Sequence, residues 1–217
     1  MNMETTSLPP ARGRGRPPSI THARIADAGI ALGLRNITFV GVAAALGVSH
    51  MALYKHVASL EALKQLVADE IIRRWRIPQA LGNDPEGLHV YLTLFSASIQ
   101  AFVKAHPGVT PYMLRRMAAS DAVIEKIQSH QRHIAQAYGI AQERAQWLLA
   151  TVAFHCFAAA DTVYSVAAQE PVVDADRAAE EAEMEVEFTR GMQALIVGAL
   201  LLSAGDGAGE QTAHRPR

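Results

Sequence analysis

Three clusters in this sequence have residue types and spacings that chemistry can use. His130 and His133 stand three apart, which puts two imidazoles on one helix face as a metal pair would need, but no third ligand is spaced with them. A solvated helix face is the simpler reading. Gly205, Gly207 and Gly209 make a glycine-rich run with no preceding strand and no following helix, so it lacks the frame of a phosphate cradle. No Gly-x-Ser-x-Gly nucleophile motif occurs. The sequence therefore assigns no catalytic residue, no metal and no cofactor, and it reads as a non-enzyme. The third cluster is Phe39 to His56, FVGVAAALGVSHMALYKH. Val42, Ala43, Leu46, Val48 and Leu53 suit the inner faces of two crossed helices, with Ala43 small enough for close approach and Gly47 at the turn. That arrangement leaves the second helix outward. In a helix-turn-helix such a helix enters the major groove, its N-terminal residues meeting base edges while flanking groups hold phosphates. An ordinary helical corner is the competing reading.

The elements that must position this cluster are helices, and the predicted fold class is all-α. Residues 1–18 are polar and rich in Arg, Gly and Pro, which reads as a flexible basic arm. Ser19 is placed to cap a first helix that carries Ile25, Ala28 and Leu32 on one face and stops at Gly33. Thr38 caps a second helix from Phe39 to Leu46, and Ser49 caps a third over His50 to His56. A fourth starts near Ser59 and runs to Arg74, before Pro78. Residues 19–74 thus make an N-terminal three-helix DNA-binding unit with its supporting helix. Residues 75–203 form a helical C-terminal body, with helices expected near 86–105, 111–118, 121–138, 141–168 and 177–203. Residues 204–217 read as a disordered tail. The alternation at Glu183 to Phe188 resembles a strand, but Met184, Phe188, Met192, Leu195, Ile196 and Ala199 continue as a helical stripe far beyond strand length.

Half of the 217 residues are hydrophobic, enough for a sizeable core and too many for a disordered chain. The formal net charge is −1, so any surface for nucleic acid must come from local segregation of charge. The first 60 residues supply it: Arg12, Arg14, Arg16, Arg24, Arg35 and Lys55 stand there against Glu4 and Asp27. Arginines such as Arg14 and Arg16 on an extended arm can enter a narrow minor groove, although a solubilising tail has the same composition. Cys156 is the single cysteine, which forbids an intrachain disulfide and fits a cytoplasmic protein. The start lacks the apolar segment of a signal peptide, and the apolar stretches near 147–160 and 194–204 fall short of the ~20 residues of a membrane span. No membrane association is expected.

The run from Ile25 through AAALGVS at positions 43–49, then LYKHV at 53–57 and Leu63, resembles the DNA-binding domain of the tetracycline-repressor (TetR) family. The resemblance is specific over residues 19–74; beyond them only helical pattern and length agree. By position it implies that Thr38, Tyr54 and His56 hold phosphates, while His50, Met51, Ala52 and Lys55, with the cap Ser49, form the recognition face. Tyr54 also suits a place in the core. Leu60 departs from the pattern, since the family usually has a phosphate-contacting lysine there, and Val40, Gly41, Ala44 and Ala45 leave helix two without a charged outer face. Met51 and Ala52 suit thymine methyl groups, so the expected operator is an A/T-containing palindrome of double-stranded DNA.

The resemblance also implies a symmetric homodimer and a repressor released from DNA by a small effector bound in the C-terminal body. The two long apolar helices near 141–168 and 177–203 are the candidates for the interface, with Leu148, Val152, Leu195, Ile196, Ala199 and Leu200 as contacts or as monomer core. Phe95, Phe102, Met113, Met117, Trp147, Phe154 and Phe157 are candidates for a pocket lining suited to a largely hydrophobic ligand. Two other classes compete: a ligand-independent architectural DNA-binding protein, which needs no cavity, and an all-α enzyme, which needs a reactive constellation.

Overall fold

A computed structural model of the chain describes residues 20–80, 85–115, 119–167 and 176–209, with the side chains of 85–86, 166–167 and 204–209 outside the description. The arm expected at 1–18, with Arg14 and Arg16, lies outside the described residues, as do Ser19 and Met117. Among the described residues the regular structure is helical.

The N-terminal helices are fixed at their ends by small polar caps. Helix α1 spans His22–Leu32, and its first turn is capped by Thr21, whose side chain accepts from the Arg24 amide. Thr21 thus takes the place expected of Ser19. Gly33 ends the helix, and a short 3-10 turn, Leu34–Asn36, follows it. Helix α2 is Phe39–Leu46, with the Thr38 hydroxyl accepting from the Gly41 amide at 3.0 Å. Gly47 adopts φ 68°, a left-handed conformation that costs glycine little, and its amide closes the last turn of α2. Helix α3, His50–Tyr54, begins at once from the Ser49 cap. It is shorter than the sequence predicts, because Lys55 and His56 turn off towards buried Val57. Helix α4, Leu60–Arg74, starts at the Ser59 cap and ends at Trp75, before Pro78 is reached.

The body is built from α5 (Pro85–Ala105), α6 (Thr110–Leu114), α7 (Asp121–Tyr138), α8 (Gln142–Ala167) and α9 (Arg177–Gly209). The alternating 183–188 segment is helical, inside α9. Helix α6 stops short of the predicted 111–118, and α9 runs past the stop read at Ser203. Helix α8 is the central element, packed against α5, α7 and α9. By length and composition alone α8 and α9 are apolar enough to cross a bilayer, over 24 and 27 residues, which exceeds the apolar stretches read from the sequence. Each also carries charge along its length, including Arg144 and Asp161 on α8 and Glu185, Glu187 and Arg190 on α9.

One contiguous core joins the two halves. Ile25, Val42, Leu53, Leu63 and Val67 fill the N-terminal end, and Tyr91, Leu92, Ile99, Leu148, Phe157 and Ile196 fill the body. Helix α4 connects them, with Val67 buried under α1 and Ile71 and Ile72 at its far end. The helix that supports the helix-turn-helix is therefore also part of the body's wall.

Candidate nucleic-acid interface and ligand cavity

Helices α2 and α3 bury Phe39, Val42, Ala43 and Leu53, pack Leu46 partly against the core and turn most of their other residues outward. His50, Met51, Lys55 and His56 are exposed, and Ala52 is half-buried. Met51 has 62% of its surface in solvent. Tyr54 satisfies both readings of it. Its ring stacks on Phe39 with centroids 4.1 Å apart, and 46% of the residue stays exposed. Thr38 and Ser49 spend one acceptor site each on helix caps and keep a hydroxyl proton to donate. Val40, Ala44, Ala45 and Leu60 are exposed, so the outer face of α2 and the start of α4 are apolar, as the departures from the family pattern imply.

The helix-turn-helix is tied to the body at the C-terminal end of α4. Glu70 accepts from Arg73 at 2.7 and 2.6 Å and from Arg74 at 2.6 Å, and Arg74 also pairs with Asp27 of α1. The Arg73 hydrogen bond, chiefly, holds the Glu70 carboxyl down at about 2; burial opposes the shift and Arg74 reinforces it. Lys126 of α7 donates to the carbonyls of Ile72, Arg73 and Trp75 at 2.9, 2.9 and 2.5 Å, satisfying acceptors that a helix end leaves open. Burial, and secondarily Arg73, lowers the pKa of Lys126. A second tie joins Arg35 to Ser165 at 2.7 Å and Asp161 at 3.7 Å on α8.

Beside this junction lies a cavity of about 200 Å³ between α5, α6, α7 and α8. Phe95, Met113, Phe154 and Phe157 line it. Phe102 does not: it is buried beside the cavity with its ring 4.7 Å from that of Trp75. Trp147 is 44% exposed and lies elsewhere on α8. Trp75, His130 and Gln131 line the cavity and were not anticipated. Trp75 carried a legible signal, an aromatic residue at the end of the last supporting helix, where the two halves must meet. The simpler reading of His130 beside His133 is a solvated helix face. Instead its Nε2 lies 2.5 Å from the Tyr91 hydroxyl, and its ring centroid is 6.4 Å from that of His133. Among the described residues no group of three metal-ligating side chains occurs.

The interface candidates divide. Leu148, Val152, Ile196 and Ala199 are buried within the single chain, and Leu195 and Leu200 are half-buried. The outward apolar residues of α8 and α9 are Trp147, Phe154, Val186, Val197, Leu201 and Leu202. The four buried residues are monomer core rather than free contacts: both faces of these helices are apolar, and periodicity alone does not say which one meets α5.

A helix-turn-helix at the N-terminus of a helical body is the fold of the TetR-family regulators, and the chain has that fold. It is similar to apo ActR from Streptomyces coelicolor, at 16% identity and a TM-score of 0.63 over 89% of this chain and 100% of that one. It is also similar to a substituted form of TetR from Acinetobacter baumannii AYE, solved in complex with minocycline, at 19% identity and a TM-score of 0.61 over 84% and 95%. A third neighbour is the S. coelicolor transcriptional regulator SCO7222, at 18% identity and a TM-score of 0.56 over 91% and 100%. No family model matches the sequence, and no curated protein does.

Proposed function

We propose that this chain is a sequence-specific DNA-binding transcriptional regulator, a cytoplasmic homodimeric repressor released from a palindromic operator by a small, largely hydrophobic effector. The observation that carries the reading is the α3 face: His50, Met51 and Lys55 stand in solvent on a short helix locked by the Ser49 cap and the Gly47 turn. No described residue covers this face, and a single short helix of this kind suits a major groove. Thr38, Tyr54 and His56 flank it as phosphate contacts. The cavity favours a sensing regulator over a ligand-independent architectural protein, and its wall includes Trp75, the residue that ends α4. An effector seated there presses on the helix that carries the DNA-binding unit, and differential binding to one setting of α4 shifts the population of DNA-competent dimers. ActR has been solved with (S)-DNPA, and the substituted A. baumannii TetR with minocycline, which supports a small-molecule role for the body.

The dimer brings two α3 helices about one DNA turn apart, ~34–36 Å. Its interface is the outward apolar stripe of α8 and α9, including Trp147, Val197 and Leu201.

The test is fluorescence anisotropy of the full chain with duplex DNA from upstream of its own gene and with a scrambled duplex, at one fixed salt concentration. Specific binding is expected, and Lys55→Ala reduces it roughly tenfold or more, from the ~1–3 kcal/mol of a good base contact. Equal affinity for both duplexes across genome-selected fragments, unchanged in the variant, overturns the reading.

A further inference from the structure

Among the described residues the cavity wall holds two polar ones, His130 and Gln131, among apolar and aromatic side chains. We propose that His130 is the hydrogen-bond anchor of the effector: Tyr91 fixes its imidazole so that Nδ1–H points a donor at an uncharged, planar aromatic ligand bearing a carbonyl oxygen. The proposal rests on the effector reading above and names the chemistry of that site.

The hydrogen-bond network assigns the tautomer. Tyr91 is fully buried on α5, and burial lifts its phenol far above the ordinary tyrosine range, so it keeps its proton. The acceptor within reach of that proton is His130 Nε2, at 2.5 Å. Nε2 thus gives up its lone pair, and the neutral ring carries its hydrogen on Nδ1. Neutrality follows from the surroundings. Burial first, then His133 and Lys126, pushes the imidazole down to about 4. Among the described residues Nδ1 makes no hydrogen bond, and His130 is half-buried where it lines the cavity.

The rest of the wall sets the ligand class. Trp75, Phe95, Phe154 and Phe157 present aromatic surface for a flat ring. Among the described residues no lining side chain supplies a formal charge once His130 is neutral, and Lys126, one turn earlier on α7, spends its ammonium on three carbonyls at the end of α4. A carboxylate entering here is desolvated without a counter-charge. A volume of about 200 Å³ falls below the ~300–1,000 Å³ of drug-sized pockets, which fits one or two rings.

Methyl-labelled methionine NMR of the full chain tests this, because Met113 lines the cavity and reports occupancy. The probes are acetophenone, its planar isostere α-methylstyrene, which lacks the acceptor oxygen, and benzoate. The readout is the ratio of ketone to alkene affinity, compared between proteins so that the probes' different hydration cancels. His130→Phe is expected to lower the ratio about tenfold, one net hydrogen bond of ~1.4 kcal/mol, while the alkene still binds. Tyr91→Phe, which keeps the imidazole but frees Nε2, lowers it severalfold and serves if the first variant does not fold. Imidazole nitrogen shifts of the parent protein should show hydrogen on Nδ1, and benzoate should bind more weakly than the ketone. An unchanged ratio in both variants, or hydrogen on Nε2, overturns the anchor while the cavity stands. Failure of ketone and alkene alike to move Met113 removes the cavity reading and the anchor with it.

Discussion

Glu70 shows how a single carboxylate can serve as a joint. It receives both arginines of the α4 terminus, and one of them reaches on to Asp27 of α1. Its folded pKa of about 2 lies below the ordinary 4.5, so its contribution to stability is complete above 4.5 and is lost as the pH falls towards 2. Glu70→Gln is expected to lower the urea midpoint at neutral pH, with the gap to the parent closing across that window. A gap that stays constant with pH would show that the loss is one of packing rather than charge. The guanidinium groups are about half or more exposed, so added salt should also narrow the gap. Cys156 behaves oppositely. It is fully buried, and burial pushes its thiol up to about 11, which leaves it inert as a nucleophile.

At the scale of elements, the contact of α1 with α4 depends on a missing side chain. A Cβ on Gly29 would lie 2.3 Å from Val67 Cγ2, and Val67 is fully buried with no room to retreat. Gly29→Ala gains helix propensity of about 1 kcal/mol but must push α1 off α4, for an expected net loss of ~1–2 kcal/mol by urea unfolding. A higher midpoint would mean that this packing is loose. Because α4 also ends at the cavity, the same substitution should alter DNA affinity, read by anisotropy against the parent. Lys126 holds the C-terminal end of α4 through three carbonyls. The supporting helix is thus set by α1 packing along it and by α7 at its C-terminal end.

For the whole molecule, the proposed dimer makes the outward stripe of α8 and α9 the decisive surface. Leu201 is 70% exposed and Val197 47%, on a helix whose other face is buried in the body. Paired Val197→Glu and Leu201→Glu substitutions should leave the helical content intact, yield a monomer in sedimentation velocity, and weaken operator binding because two half-sites are no longer read together. A dimer that survives both charges would place the interface elsewhere.

The sequence by itself determined what depends on local order. Caps at Thr38, Ser49 and Ser59, the left-handed Gly47 and 3.6-residue apolar periodicity set the helix-turn-helix and its exposed residues, because each acts within a turn or two of its own position. The long helices of the body were legible for the same reason. Only the tertiary structure decided which apolar faces meet. Leu148 and Ile196 look like Trp147 and Val197 in sequence, yet packing within the body buries the first pair and leaves the second outside. It also decided the cavity. Trp75, Tyr91 and His130 come from three different parts of the chain, and a histidine whose simpler reading is a solvated helix face meets the Tyr91 hydroxyl only once the body is folded. Hydrogen bonding and burial depend on neighbours distant in the chain, and no local pattern encodes them.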